Sequence, residues 1–217
     1  MNERRFVFND EKFLDHNDFY GSDLILLEGV ITELLSRFEL IRRYKTAMGE
    51  RDPIEYCKAR IKEPESVCRK LEKYELPKTA EAAFERVYDA AGVRVICTFI
   101  DDVYTVVEML RKHDDIEIIR EKDYIKNPKE NGYRSYHIIV KLPVRLADGI
   151  HRVFAEIQIR TIAMDCWAAL EHRLKYKKEI KNQEIIVSEL KRCASEIAST
   201  DMTLQTIREL IDEEEIT

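Results

Sequence analysis

A chain of 217 residues, 45% hydrophobic and 36% charged, is long enough to bury a sizeable core beneath a charged exterior. No apolar run approaches the roughly 20 residues that span a bilayer, and the opening MNERRFVFNDEK lacks the apolar centre of a signal peptide, so a cytoplasmic location with no membrane partner is expected. The net charge of −6 argues against an extended basic surface, hence against an obligate nucleic-acid partner. Five cysteines (Cys57, Cys68, Cys97, Cys166, Cys193) are odd in number and never spaced as CxxC, which argues against a disulfide framework and a zinc site and points to buried or half-buried free thiols.

In chain order, the N-terminal third reads as helical. Ser22 can cap a helix in which Leu24, Leu27, Val30, Ile31, Leu34, Leu35, Phe38 and Ile41 recur at steps of three and four, with Gly49 and Pro53 punctuating its end. A second helix is expected from Ser66 to Tyr74. The middle changes period. Val93 to Ile100, VRVICTFI, is β-branched and apolar enough for a buried strand. Asp102 to Lys112 then carries Val103, Val106, Val107 and Leu110 as a helix, and Ile116 to Ile119 forms a short strand.

The polar loop KDYIKNPKENGY leads into a strand over His137 to Leu142. Asp148-Gly149 signals a hairpin, and a two-residue turn centred there sets Lys141 opposite Glu156. Beyond it Val153, Ala155, Ile157 and Ile159 alternate with Glu156, Gln158 and Arg160. One face therefore packs on a core, and the other carries Ser135, His137, Lys141, Glu156 and Arg160. A helix over Thr161 to Tyr176, with Ile162, Cys166, Trp167, Leu170 and Leu174 inward, precedes a long amphipathic helix from about Gln183 to Ile211. The class is α+β: a small mixed sheet flanked by helices, in a single domain spanning 1–217.

No GxxxxGK occurs, and six glycines are too few for a glycine-rich phosphate cradle, so side chains must hold any bound phosphate. Three segments offer such chemistry. Ser66, Lys70 and Lys73 stand at i, i+4 and i+7 behind Arg60 and Lys62, which stacks them along one helix face near a helix start, where a polyphosphate would be favoured. An ordinary solvated face is the alternative. Asp89 precedes the buried strand and Glu156 lies on the polar face of another; two such carboxylates can share a Mg²⁺, and one can take a hydroxyl proton. Each could equally be a surface acid, with Glu156 paired to Lys141. Around Lys129, Asn131, Gly132 and Tyr133, the tyrosine can stack a purine, or fold back onto the core as part of a plain turn.

Four motifs in order, RIKEPES (Arg60–Ser66), YDAAGVRVI (Tyr88–Ile96), KDYIKNPKENGYRSYH (Lys122–His137) and AEIQIRTIAMDCWAALEH (Ala155–His172), resemble the synthetase domain of the RelA/SpoT family, in its stand-alone small alarmone synthetase form of the RelP type. The resemblance covers roughly residues 53 to 176, with helical extensions over about 22–48 and 183–211. It implies a fold related to polymerase-β-type nucleotidyltransferases, and transfer of pyrophosphate from ATP to the 3′-hydroxyl of GDP or GTP with release of AMP. By its terms Asp89 and Glu156 hold Mg²⁺, and Glu156 activates the acceptor. Arg60 and Arg94 sandwich adenine, while Lys62, Ser66, Lys70 and Lys73 hold the ATP phosphates. Tyr133 stacks on guanine, with Lys122, Lys129, Asn131 and His137 around the acceptor. Trp167, Glu171 and His172 read as scaffold, and the apolar flanking helices fit a homotetramer or intramolecular packing. The flanks are too short for the hydrolase and regulatory domains of the long relatives, so neither activity is expected. Rival readings are the same chemistry on a tRNA 3′ end or an adenosine nucleotide, and a silent nucleotide- or RNA-binding regulator.

Overall fold

The computed structural model describes residues 13–175 and 183–215; the opening MNERRFVFNDEK and Tyr176 lie outside the described residues. A short helix α1 (Phe13–Tyr20) turns through Gly21–Asp23 into α2 (Leu24–Ala47). All eight residues of the periodic stripe from Leu24 to Ile41 are buried. Ser22 does not cap this helix: it sits in the 3-10 turn, and Asp23 holds the cap position without a side-chain bond. The strand β1 (Tyr56–Ile61), helix α3 (Pro64–Lys73) and helix α4 (Ala80–Arg86) follow. Pro64 opens α3 at a first-turn position where its missing N–H costs nothing. Thr79 caps α4 by accepting from the Ala82 N–H at 3.3 Å.

The central elements are β2 (Ala91–Cys97), α5 (Ile100–Arg111), β3 (Glu117–Asp123), β4 (Tyr136–Leu146) and β5 (Gly149–Thr161). β2 ends before the expected Ile100 because Asp102 reaches back to accept from the Phe99 N–H at 3.1 Å, which starts α5 there. The last elements are α6 (Ile162–Lys175) and α7 (Gln183–Glu215).

The five strands lie in the order β1-β2-β5-β4-β3, antiparallel except for the parallel β2–β5 pair. The inner face is built from Val93, Val95, Cys97, Ile138, Val140, Leu142, Ala155, Ile157 and Ile159, all buried beneath α2 and α5. Gly29 allows α2 to approach β4: a Cβ there would lie 2.5 Å from Val144 Cγ1.

The hairpin register differs from the expected one. The turn residues are Ala147 and Asp148, Gly149 opens β5 with φ +142°, and Ile139 rather than Lys141 faces Glu156. Moving the turn by one residue changes each cross-strand partner by two, so every side chain keeps its face. Lys141 instead lies over the Phe154 ring at 4.7 Å. In α6 the expected phase is also wrong. Trp167 and Met164 are buried, whereas Ile162, Leu170 and Leu174 are about half exposed and Cys166 is exposed rather than half-buried. Asp165 is also buried and is tied to Arg94 and Arg160, so the docked face holds Met164, Asp165 and Trp167 and the other apolar stripe faces outward.

Candidate active site

Register alone assembles the outer face of the sheet in rows. Arg60, Gly92, Glu156, Ile139 and Arg120 line up across β1, β2, β5, β4 and β3; the adjacent row is Lys58, Arg94, Gln158, His137 and Lys122. Glu156 therefore occupies the middle strand, with Gly92 beside it contributing no side chain. One end of this face is roofed by α6 and α7, where Trp167 donates its indole N–H to the Leu190 carbonyl at 3.0 Å. The other end is an open cleft of about 500 Å³ lined by Lys70, Tyr74, Leu76, Arg86, Tyr88, Asp89, Arg120, Ile139 and Glu156.

Asp89 sits in the turn between α4 and β2, and two other segments reach its carboxylate. Lys62, just past β1, donates to Oδ2 at 2.6 Å, and Lys70 on α3 donates to Oδ1 at 2.8 Å. The buried Tyr20 hydroxyl fixes this segment from α1 by donating to the Lys62 carbonyl at 2.9 Å, while the Lys62 N–H bonds the Ala90 carbonyl at 2.8 Å. Burial pushes the Asp89 carboxyl up, but the two ammonium donors outweigh it and hold the group below its ordinary range. Glu156 is similar. Burial raises it, the hydrogen bonds from His137 and Gln158 lower it, and the nearby Asp89 charge works with burial against them; the net shift is downward. Both acids are thus held ionised in one cleft, close enough for their charges to interact.

The remaining residues of the ATP group are more dispersed. Arg60 is exposed on β1, and Lys73 is exposed at the end of α3. Ser66 Oγ accepts from Arg69 at 2.9 Å. Arg94 is half-buried with Nη1 3.1 Å from Asp165, and its Nε has no partner among the described residues. Burial and the neighbouring Arg160 charge lower the Arg94 pKa from its ordinary value.

On the acceptor side, Lys122 lies on β3 rather than in the loop, exposed in the row of His137. Lys129 places its ammonium 4.7 Å from both the Tyr124 and Tyr133 rings. Asn131 donates to Glu171 at 3.0 Å and accepts from the Tyr133 N–H at 3.2 Å, which ties the loop to α6. Gly132, at φ +87°, seats this loop against α7, where a Cβ would meet Ala194 Cβ at 2.5 Å. Tyr133 packs on the cluster of Trp167, Leu190 and Ala194, with its hydroxyl 2.8 Å from His137 Nε2 and also bonded by Arg160. His172 is exposed.

Sequence reasoning missed Arg86 and Arg120 as cleft residues, along with Tyr74 and Tyr88. Neither arginine forms an ion pair with any described residue, although most of the described arginines do. Extending the expected strand by one residue past Ile119 would have placed Arg120 on it, in the row of Glu156; no local signal marks Arg86.

Residues 59–181 match the family described as "Region found in RelA / SpoT proteins". The chain is 39% identical to the GTP pyrophosphokinase YwaC of Bacillus subtilis (strain 168) over 193 residues, covering 89% of this chain and 92% of that protein. It is 34% identical to the GTP pyrophosphokinase YjbM of the same organism over 190 residues, covering 88% and 89% of the two chains. Among solved structures, small alarmone synthetase 1 from Bacillus subtilis bound to its product pppGpp superposes with a TM-score of 0.78 at 34% identity, covering 87% of this chain and 95% of that one. Small alarmone synthetase 2 from the same organism gives 0.78 at 39% identity, covering 88% and 98%.

Proposed function

The chain belongs to the RelA/SpoT family, and from that premise we propose that it is a (p)ppGpp synthetase, a GTP pyrophosphokinase that moves the β,γ-pyrophosphate of ATP onto the 3′-hydroxyl of GDP or GTP and releases AMP. The observation that carries this reading is the pairing of Asp89 with Glu156: two ionised carboxylates from distant segments that line one cleft beside Lys70. The relatives' guanosine nucleotide chemistry favours this acceptor over tRNA or an adenosine nucleotide.

In the proposed reaction the acceptor 3′-oxygen bonds to the β-phosphorus, the bridge to the α-phosphate breaks, AMP carries away that bridging oxygen, and the hydroxyl proton passes to Glu156. A loose transition state asks more of positioning and charge than of base strength, which suits a carboxylate held below its ordinary pKa. Lys62 and Lys70, now on Asp89, are the cations nearest an incoming triphosphate. Arg60 and Arg94 would hold adenine, with Ser66 and Lys73 extending the phosphate contacts. Tyr133, Asn131, Lys129, Lys122 and His137 would receive the acceptor.

Asp89 and Glu156 suit Mg²⁺, which takes one or two carboxylates and completes its shell with phosphate and water. Among the described residues no cluster of three ligating side chains exists, in keeping with a metal shared between protein and substrate. When bound between these acids, the ion would supply neutralisation of phosphate charge.

We also propose a cytoplasmic homotetramer. Among the described residues no helix is long and apolar enough to cross a membrane. Stripes on α2 and its C-cap (Leu40, Tyr44, Met48), α6 (Ile162, Leu170, Leu174) and α7 (Leu204, Ile207, Ile211) leave apolar side chains exposed. Incubation with ATP, Mg²⁺ and GDP, followed by chromatography, tests the activity: AMP and a guanosine tetraphosphate should accumulate in equal amounts, and AMP without tetraphosphate would reject the transfer.

A further inference from the structure

Five side chains on the outer sheet face close a hydrogen-bonded ring. Glu156 Oε1 lies 3.0 Å from His137 Nδ1, and His137 Nε2 lies 2.8 Å from the Tyr133 hydroxyl. Arg160 donates through Nη2 to that hydroxyl and, at 2.7 Å, to Gln158 Oε1. Gln158 Nε2 donates to Glu156 Oε2 at 2.6 Å, which returns the ring to its start.

With the His137 ring neutral, what each group can donate or accept gives every bond a direction. A guanidinium only donates, so the Tyr133 oxygen accepts from Arg160 and keeps its own proton for His137 Nε2. The neutral imidazole then carries its proton on Nδ1, where it donates to an acceptor-only carboxylate. The Gln158 amide is oriented likewise, with its oxygen toward the guanidinium and its nitrogen toward Glu156. No bond in the ring sets donor against donor. Arg160 anchors the whole: it is 4% exposed, donates through Nη1 to Asp165 at 3.1 Å and through Nε to Ser135 Oγ at 3.2 Å. Asp165 also holds Arg94 at 3.1 Å.

We propose that Arg160 and Gln158 are positioning residues for the transfer, and that the Tyr133 hydroxyl has a role separate from its ring, holding the Glu156 carboxylate in one orientation through His137. This rests on the synthetase reading above. The base platform and the catalytic carboxylate belong to one closed network, so seating a base on Tyr133 and orienting Glu156 are a single event. A satisfied but idle polar cluster would show no such coupling.

Tyr133→Phe tests this, because it keeps the ring and its packing and removes one hydroxyl. Steady-state kcat and KM for GDP and ATP are measured beside the imidazole ¹⁵N resonances of the full chain without nucleotide. The wild type should show His137 protonated on Nδ1, and the variant's Nε2 resonance should move to that of a nitrogen with no donor. Its kcat should fall about tenfold with both KM values held within about threefold, the split expected when a positioning contact is lost. Arg160→Lys keeps a cation beside Asp165 but cannot reach Tyr133 and Gln158 together, and should give the same split. Wild-type kcat in Tyr133→Phe, a change confined to acceptor KM, or an unmoved Nε2 resonance would each overturn the proposal. A wild type that forms no tetraphosphate would reject the synthetase reading instead, while the resonance comparison, which needs no substrate, still decides the ring.

Discussion

Replacing Glu156 by glutamine separates folding from chemistry at the centre of the sheet. The carboxylate accepts from His137 at 3.0 Å and from Gln158 at 2.6 Å, and its side chain is 20% exposed. Glutamine has the same shape, but its amide nitrogen meets one of these donors head on. Gln158 cannot turn over without setting its NH2 against the Arg160 guanidinium, so the relief falls to His137, whose change of tautomer leaves the Tyr133 hydroxyl proton without that acceptor. The folding cost is therefore about one lost hydrogen bond, roughly 1 kcal/mol, which in a chain of this size lowers the thermal midpoint by about 2–4 °C. Turnover should fall far more, by about a thousandfold or beyond, since a metal-holding and proton-accepting charge is removed together. Calorimetry gives the first number, and AMP release from ATP in the presence of GDP gives the second. Turnover within tenfold of wild type would refute the role given to Glu156, as would a midpoint drop large enough to explain the loss by unfolding.

Three further outcomes are expected. Tyr133→Ala removes the ring as well as its hydroxyl, so it should add a rise in acceptor KM that Tyr133→Phe lacks, worth about 1–3 kcal/mol of stacking, with the KM for ATP little changed. Gly132→Ala forces a Cβ onto Ala194 at φ +87° and should cost about 1–3 kcal/mol, read as a lower thermal midpoint together with weaker GDP binding by calorimetry. Arg37 forks onto Asp115 at 2.8 and 2.7 Å, and this hydrogen bonding holds the Asp115 carboxyl below its ordinary range. A depressed pKa stabilises above the unfolded value and is lost as pH falls through the folded one. The stability gap between wild type and Asp115→Asn, up to about 1 kcal/mol at neutral pH, should therefore close below about pH 4 in acid titrations of the melting temperature.

What the sequence made legible follows from strength of pattern. The stripe from Leu24 to Ile41 is long enough to fix both the existence and the buried face of α2. The alternation from Val153 to Arg160 placed Glu156, Gln158 and Arg160 on one face, and that survived a misplaced turn because parity tolerates a shift of two. Elements with little pattern were lost. β1 is an edge strand whose residues Lys58, Ala59 and Arg60 are all exposed, and α4 is only seven residues long. α6 misled because its longest apolar stripe is not the docked one: Met164, Asp165 and Trp167 are the buried residues, with Asp165 tied to Arg94 and Arg160. The cleft itself, with Arg86 and Arg120 facing Lys70 and Asp89, is a product of topology, and no local run of residues announces it.

The claim that Asp89 and Glu156 meet on one divalent ion between two nucleotides can be tested by anomalous diffraction, from crystals grown with Mn²⁺, a non-hydrolysable ATP analogue and GDP. The account predicts a manganese peak about 2.1 Å from a carboxylate oxygen of each residue, with phosphate oxygens completing the shell. A peak held by phosphates alone, or by only one of the two acids, would contradict it.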